Sequence, residues 1–121
     1  MTRRELYKSL ENLCCEMRDS YSINSGGCCF VTAVIAEQLE LNNISFQIAC
    51  CYDPTHFWIK VGGKYINRDG YYKEVLNSWS SKYLFNKYYS QDWNDYYNRR
   101  WNLIVKTRIR SLFLKYENSR S

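Results

Sequence analysis

Residues 56–69 read HFWIKVGGKYINRD, a run of strand-forming residues on either side of a glycine pair. Two adjacent glycines between such runs favour a two-residue hairpin turn, because both can adopt positive φ angles. The turn sets the register outward from Val61 and Lys64, so that the last predicted pair is His56 with Asp69. Directly paired residues share a face of the sheet, with Cβ atoms about 4.5–5.5 Å apart. The sequence therefore predicts a carboxylate within reach of His56, the single histidine of the chain.

The elements predicted around this hairpin make an α+β fold. Thr2 and Glu5 have the spacing of a capping box, which predicts that a helix begins there. Periodicity and strand propensity predict a core helix at residues 28–41, a strand at 44–52, short helices and loops at 72–89 and a long helix at 91–116. The buried stripe of the long helix should consist of Trp93, Tyr97, Trp101, Ile104, Val105, Ile109, Leu112 and Tyr116. This order indicates N-terminal helices packed on a small antiparallel sheet, followed by a long C-terminal helix.

The length and composition are those of one globular domain. The chain has 121 residues, of which 45% are apolar and 24% charged, and its net charge is +5. We divide it into a catalytic-type core at residues 24–72 and an aromatic-rich, basic helical extension at residues 73–121. No apolar run approaches the length of a membrane span, so no membrane association is expected.

Six cysteines occur as three adjacent pairs, at residues 14–15, 28–29 and 50–51. Neighbouring side chains on a helix or strand point in different directions, so each pair would need two separate disulfide partners. A reduced cytoplasmic setting fits this pattern better than a disulfide framework. The richness in Asn, Lys, Ile and Tyr is typical of an AT-rich genome, and we expect the cytoplasm of a bacterium or of a virus-infected host.

Cys29 is the expected nucleophile. It follows Gly26, Gly27 and Cys28 at the start of the predicted core helix. The thiolate is the reactive form of cysteine, and the unsatisfied amides at a helix N-terminus lower the pKa of a thiol. The glycines let the loop approach a substrate closely, and the amide of the nucleophile can bind an oxyanion. Cys28 is the alternative nucleophile if the cysteine follows the glycine pair directly.

His56 and Asp69 complete the predicted site. His56 would take the thiol proton, and Asp69 would fix the imidazole tautomer. Asn67 is expected on the same face as an alternative to Asp69 in support of the site, and Trp58 is a further supporting residue. Asn24 in the preceding loop is a candidate oxyanion donor. One histidine and adjacent cysteine pairs give no metal-ligand spacing, so neither a metal site nor a cofactor is predicted.

These motifs resemble the core of transglutaminase-like cysteine enzymes and, more widely, of papain-like thiol proteases. The resemblance covers about residues 24–72 and depends on Gly27-Cys28-Cys29-Phe30 with Ala33, on residues 56–61, and on Gly63-Lys64-Tyr65 with Asp69. In that family a cysteine at a helix N-terminus is followed by a histidine and an aspartate on neighbouring antiparallel strands. The resemblance implies a Cys-His-Asp triad that hydrolyses an amide bond or transfers its acyl group. The expected substrate is a peptide or another amide.

Two non-enzymatic functions are alternatives. The first is a binding or structural protein on the same scaffold, such as a component of a viral particle, with a protein partner at the aromatic-rich C-terminal half. The second is weak, salt-dependent nucleic-acid binding by the last helix. Its predicted basic face consists of Arg99, Arg100, Lys106, Arg108, Arg110 and Lys115. We rank nucleic acid below the enzyme because the net charge is moderate and Asp92 and Asp95 dilute the basic face.

Overall fold

The computed structural model describes residues 1–23, 28–52, 55–70, 73–88 and 99–119. Within these residues the fold is mixed α+β, with four helices and a four-stranded antiparallel sheet, which confirms the predicted class. The strands lie in the order β3-β2-β1-β4. The elements are α1 (Arg3–Tyr21), α2 (Cys28–Leu41), β1 (Gln47–Tyr52), β2 (Thr55–Val61), β3 (Lys64–Ile66), β4 (Val75–Asn77), α3 (Ser81–Tyr88) and α4 (Arg99–Asn118).

Helix α1 begins with the predicted capping box. The Glu5 backbone N–H donates to the Thr2 hydroxyl at 3.1 Å, and the Thr2 backbone N–H donates to the Glu5 carboxylate at 3.3 Å. The two bonds satisfy donors that a helix N-terminus otherwise leaves open. The apolar face of α1 is fully buried at Leu6, Leu10, Cys14 and Met17.

The hairpin register is confirmed close to the turn and ends early. Val61 pairs with Lys64, and Ile59 with Ile66, as predicted. Beyond Ile66 the chain leaves the ladder, because Asn67 and Asp69 have φ angles of 64° and 48°. These left-handed conformations are incompatible with a strand. The predicted continuation of the pairing, through Trp58–Asn67 and Phe57–Arg68 to His56–Asp69, is therefore wrong.

The two faces of the sheet carry different clusters. Phe57 and Ile59 of β2 point into the main core, which α1, α2 and α4 cover. The alternate residue Trp58 points to the other face, where it is fully buried with Ala49 and Cys51 and packs against Tyr65. His56 is on this second face, because side chains alternate along a strand.

Two further elements differ from prediction. The segment at residues 72–89 contains α3 and also an unpredicted edge strand, β4, which pairs with β1. The strand predicted from residue 44 begins at Gln47. The predicted start of the last helix, at residues 91–98, lies outside the described residues. Over residues 102–118 of α4 the buried residues are Asn102, Val105, Ile109, Phe113 and Tyr116, so Asn102 and Phe113 were missing from the predicted stripe. The side chains of Trp93, Tyr97 and Trp101, also predicted for the stripe, lie outside the described residues.

The turn glycines offer a matched pair of substitutions. Gly62 and Gly63 both have positive φ, at 55° and 73°, so alanine strains the backbone at either position. A Cβ on Gly62 would also lie 2.8 Å from Tyr7 Cε2, whereas one on Gly63 meets nothing within 4 Å. We expect Gly63→Ala to cost about 1 kcal/mol and Gly62→Ala a further 1–3 kcal/mol, roughly, from the clash. Urea denaturation of both variants measures the difference, and equal losses would contradict this packing.

Candidate active site

Cys28 is the cysteine whose thiol faces strand β2. It is the first residue of α2 and is 5% exposed. Burial raises the pKa of the Cys28 thiol, while the backbone N–H groups of Phe57, Cys29 and Cys28 itself hydrogen-bond to the sulfur and lower it. The amides at the helix N-terminus are thus directed at this sulfur. A thiolate formed here would have several donors around it.

Cys29 has a different environment. Its side chain is half-buried and packs against the main core. Burial raises the pKa of the Cys29 thiol to about 12, and Cys28 adds to the increase. In the described part of the chain no backbone N–H offsets this rise, so Cys29 lacks the stabilisation that Cys28 has.

His56 is held in a defined tautomer. It is 5% exposed, and its Nε2 lies 2.9 Å from the backbone carbonyl of Asn67. A carbonyl only accepts, so Nε2 carries the proton and the Nδ1 of the neutral ring is the basic atom. The ring stacks on Trp58, with a distance of 5.5 Å between the ring centroids.

The charge state of His56 depends on opposing effects. Burial lowers the pKa of the imidazole, while the Asn67 carbonyl and the charge of Asp69 raise it in part. The Arg68 carbonyl also raises this pKa, and the charge of Arg18 lowers it. The net pKa is below the usual value of 6.5, so the ring is neutral at pH 7. Burial therefore favours a base that is ready to accept a proton.

Asp69 is not the strand partner of His56, and the carbonyl that contacts the imidazole belongs to Asn67. Asp69 was expected to orient the imidazole as its strand partner, but it lies in an exposed turn and its charge acts on His56. Asn67, predicted as a residue that supports the site, is 1% exposed and provides the carbonyl that binds Nε2. Asparagine tolerates the left-handed conformation that this turn requires, and strained residues of this kind cluster at functional sites.

Cys51 is a neighbour that the sequence analysis did not single out. It is the direct strand partner of His56, and its thiol lies within hydrogen-bond reach of the His56 backbone N–H. Pairing of the strand predicted to end at residue 52 with the strand that contains His56 could have identified it. Cys28 and Cys51 thus both lie close to the backbone at the start of β2, the strand that carries His56, where the β3 ladder has already ended.

Thiol and imidazole approach β2 from different sides. Cys28 belongs to the main core and reaches the backbone N–H of Phe57, the residue that follows His56. The His56 ring lies on the face that carries Trp58 and Cys51. Asn24 and the glycine pair, which precede Cys28 in the chain, lie outside the described residues.

Two arginines of the predicted basic face are paired with acids. Arg108 forms an ion pair with Glu16 of α1, and Arg110 pairs with Glu37 of α2 at 3.2 Å. Such pairs leave fewer unmatched cations for phosphate groups. The side chains of Arg99 and Arg100 lie outside the described residues. The position of α4 against α1 and α2 therefore weakens the case for nucleic-acid binding.

The start of β2 has a thiol at a helix N-terminus, an imidazole and a carboxylate in its neighbourhood, and these are types of group that nucleophilic catalysis uses. Over residues 1–23, 28–52, 55–70, 73–88 and 99–119, no three His, Cys, Asp or Glu side chains are grouped so that they could hold a metal ion. In the same residues no helix has the length and apolar character to cross a membrane.

Comparisons with protein-family models, with curated proteins and with solved structures found no match.

Proposed function

We propose that this protein is a cysteine hydrolase or acyltransferase that acts on an amide bond, with Cys28 as nucleophile and His56 as base. One observation carries the proposal. The Cys28 thiol at the start of α2 is buried in the core together with Phe57 of β2, the residue that follows the histidine whose Nε2 lies 2.9 Å from a backbone carbonyl. The chain order Cys28, His56, Asp69 is similar to that of transglutaminase-like and papain-like enzymes. Cys29 stays as the alternative nucleophile, and a reducing compartment such as the cytoplasm would keep the thiols free.

The proposed reaction begins with loss of the proton from Cys28 Sγ to His56 Nδ1. Because the two groups approach β2 from different sides, this transfer would pass through a water molecule. The thiolate attacks the carbonyl carbon of the amide, and a backbone N–H near the sulfur binds the oxyanion. The C–N bond then breaks, and the imidazolium returns its proton to the leaving amine. Water resolves the thioester to a carboxylic acid in a hydrolase, and a second amine resolves it to a new amide in an acyltransferase. The charge of Asp69 stabilises the imidazolium.

The protonation states at rest predict a specific pH dependence. The pKa of Cys28 is raised and that of His56 is lowered, so both groups are neutral at pH 7. Attack then requires the His56 base, which is present above its lowered pKa and lost as the pH falls through that value. Alkylation of Cys28 should therefore remain substantial near neutral pH and decline only below the usual histidine pKa of about 6.5.

Iodoacetamide labelling from pH 5 to pH 9, with the adducts mapped by mass spectrometry, tests this proposal. We expect Cys28 to react first near pH 7. His56→Gln should remove that reactivity and leave only the rise caused by ionisation of the thiol at high pH. Cys29→Ala is the matched control and should preserve the profile. Equal and slow labelling of all six cysteines would contradict the proposed enzymatic function. Preferential labelling of Cys29 would assign the nucleophile to Cys29 instead of Cys28.

A further inference from the structure

Asn67 is held from three directions. Its backbone N–H donates to the Glu11 carboxylate at 2.6 Å, and its side-chain Oδ1 accepts from Arg18 Nη1 at 3.0 Å. Its backbone carbonyl accepts from His56 Nε2 at 2.9 Å. Asn67 therefore connects helix α1 to the imidazole through a single residue in a left-handed conformation.

Glu11 and Arg18 form one polar stripe on α1. With Cys15 between them they are spaced by four and three residues, which places all three on one side of the helix. Arg18 Nη2 lies 2.8 Å from Cys15 Sγ and 3.7 Å from Glu11 Oε1. The side chains of Arg18 and Glu11 are 21% and 36% exposed, so the stripe is partly shielded from water. Arg18 therefore contacts Cys15 and Glu11 as well as Asn67, and these contacts restrict its position.

We infer that Glu11 and Arg18 are positioning residues for the proposed base: they fix Asn67, and its carbonyl holds the proton of His56 on Nε2 and leaves Nδ1 to accept the proton of Cys28. The role that an Asp or Asn side chain fills in a thiol–imidazole–carboxylate site is here divided. A backbone carbonyl orients the ring, and two side chains of another helix support that carbonyl. This inference rests on the proposed function, because the tautomer matters to catalysis only if His56 is the base.

Because the chain has a single histidine, NMR spectroscopy can test this inference directly. His56 is the only histidine of the chain, so its ring nitrogens give the only imidazole signals in a ¹⁵N NMR spectrum. In the wild type we expect the Nε2–H tautomer. Glu11→Ala removes the acceptor for the Asn67 N–H and should populate the Nδ1–H tautomer, whereas Glu11→Gln keeps an acceptor oxygen and should restore the wild-type spectrum. Alkylation of Cys28 in Glu11→Ala should slow by about 10- to 100-fold, as expected for a misplaced base.

Glu16→Ala is the matched control. Glu16 is another carboxylate of α1, but it pairs with Arg108 of α4 and is not part of the stripe. An unchanged His56 spectrum in folded Glu11→Ala would overturn the inference, and so would an equal change in Glu16→Ala. If Glu11→Ala does not fold, Arg18→Met makes the same test at the Asn67 side chain. If Glu11 controls the tautomer but Cys28 shows no reactivity that depends on His56, the proposed function fails while the positioning of the imidazole stands.

Discussion

Cys28→Ala is expected to abolish the formation of an acyl-enzyme. In the proposed reaction the acyl group is carried on Cys28 Sγ, whose pKa is lowered by the backbone N–H groups of Cys28, Cys29 and Phe57 against the effect of burial. Loss of the nucleophile from a catalytic unit of this kind lowers the rate by roughly 10⁴-fold or more. The measurement is the acylation of the intact protein by p-nitrophenyl acetate, followed by mass spectrometry and by release of p-nitrophenol.

Two matched variants are the controls for that result. Cys29→Ala changes the neighbouring thiol and should leave acylation near the wild-type rate. Cys51→Ala removes the thiol of the residue that pairs with His56 in the sheet. This variant shows whether Cys51 accepts the acyl group in addition to the nucleophile. Acylation that survives in Cys28→Ala and disappears in Cys29→Ala would refute the assignment of Cys28.

Phe113→Ala is expected to cause the largest loss of stability. The Phe113 side chain of α4 is fully buried in the main core. Truncation of such a phenylalanine leaves a cavity and costs about 3–5 kcal/mol, which is a large fraction of the roughly 5–15 kcal/mol that stabilises a domain. Thermal unfolding should show a Tm lower by about 10–20 °C.

The next residue provides the control. Leu114 follows Phe113 in the same helix turn and is 56% exposed, because successive helix residues point in different directions. Leu114→Ala keeps the helix propensity high and removes little buried surface, so we expect a change below about 1 kcal/mol. Similar destabilisation by both substitutions would mean that α4 does not pack on the core as described.

Features set by neighbouring residues were predictable from the sequence. The capping box joins residues three positions apart, and the turn requires two residues that tolerate positive φ, which Gly62 and Gly63 do. The register follows from that turn for as long as the ladder lasts. Strand β4 was missed because it has three residues, two of them exposed, and its pairing with β1 is not local.

The end of the ladder could not be predicted locally. Asn67 leaves the strand in a conformation that is held by Glu11 and Arg18, which are 56 and 49 residues away in the chain. The choice between Cys28 and Cys29 has a similar origin, because it depends on the rotation of α2 against the sheet. Only the packed structure shows that the Cys28 thiol is the one directed at the Phe57 amide.

The support of Asn67 by helix α1 has a consequence for the order of folding. The hairpin turn closes a loop of two residues, whereas the bond from Asn67 to Glu11 closes a segment of 56 residues and the ion pair from Arg108 to Glu16 one of 92. Closing longer segments costs more chain entropy, and contacts between distant residues form late. In a refolding chain the hairpin strands are thus paired before the imidazole is oriented. For the proposed enzyme, chemical competence would therefore be acquired at the end of folding, when the first and last helices have docked.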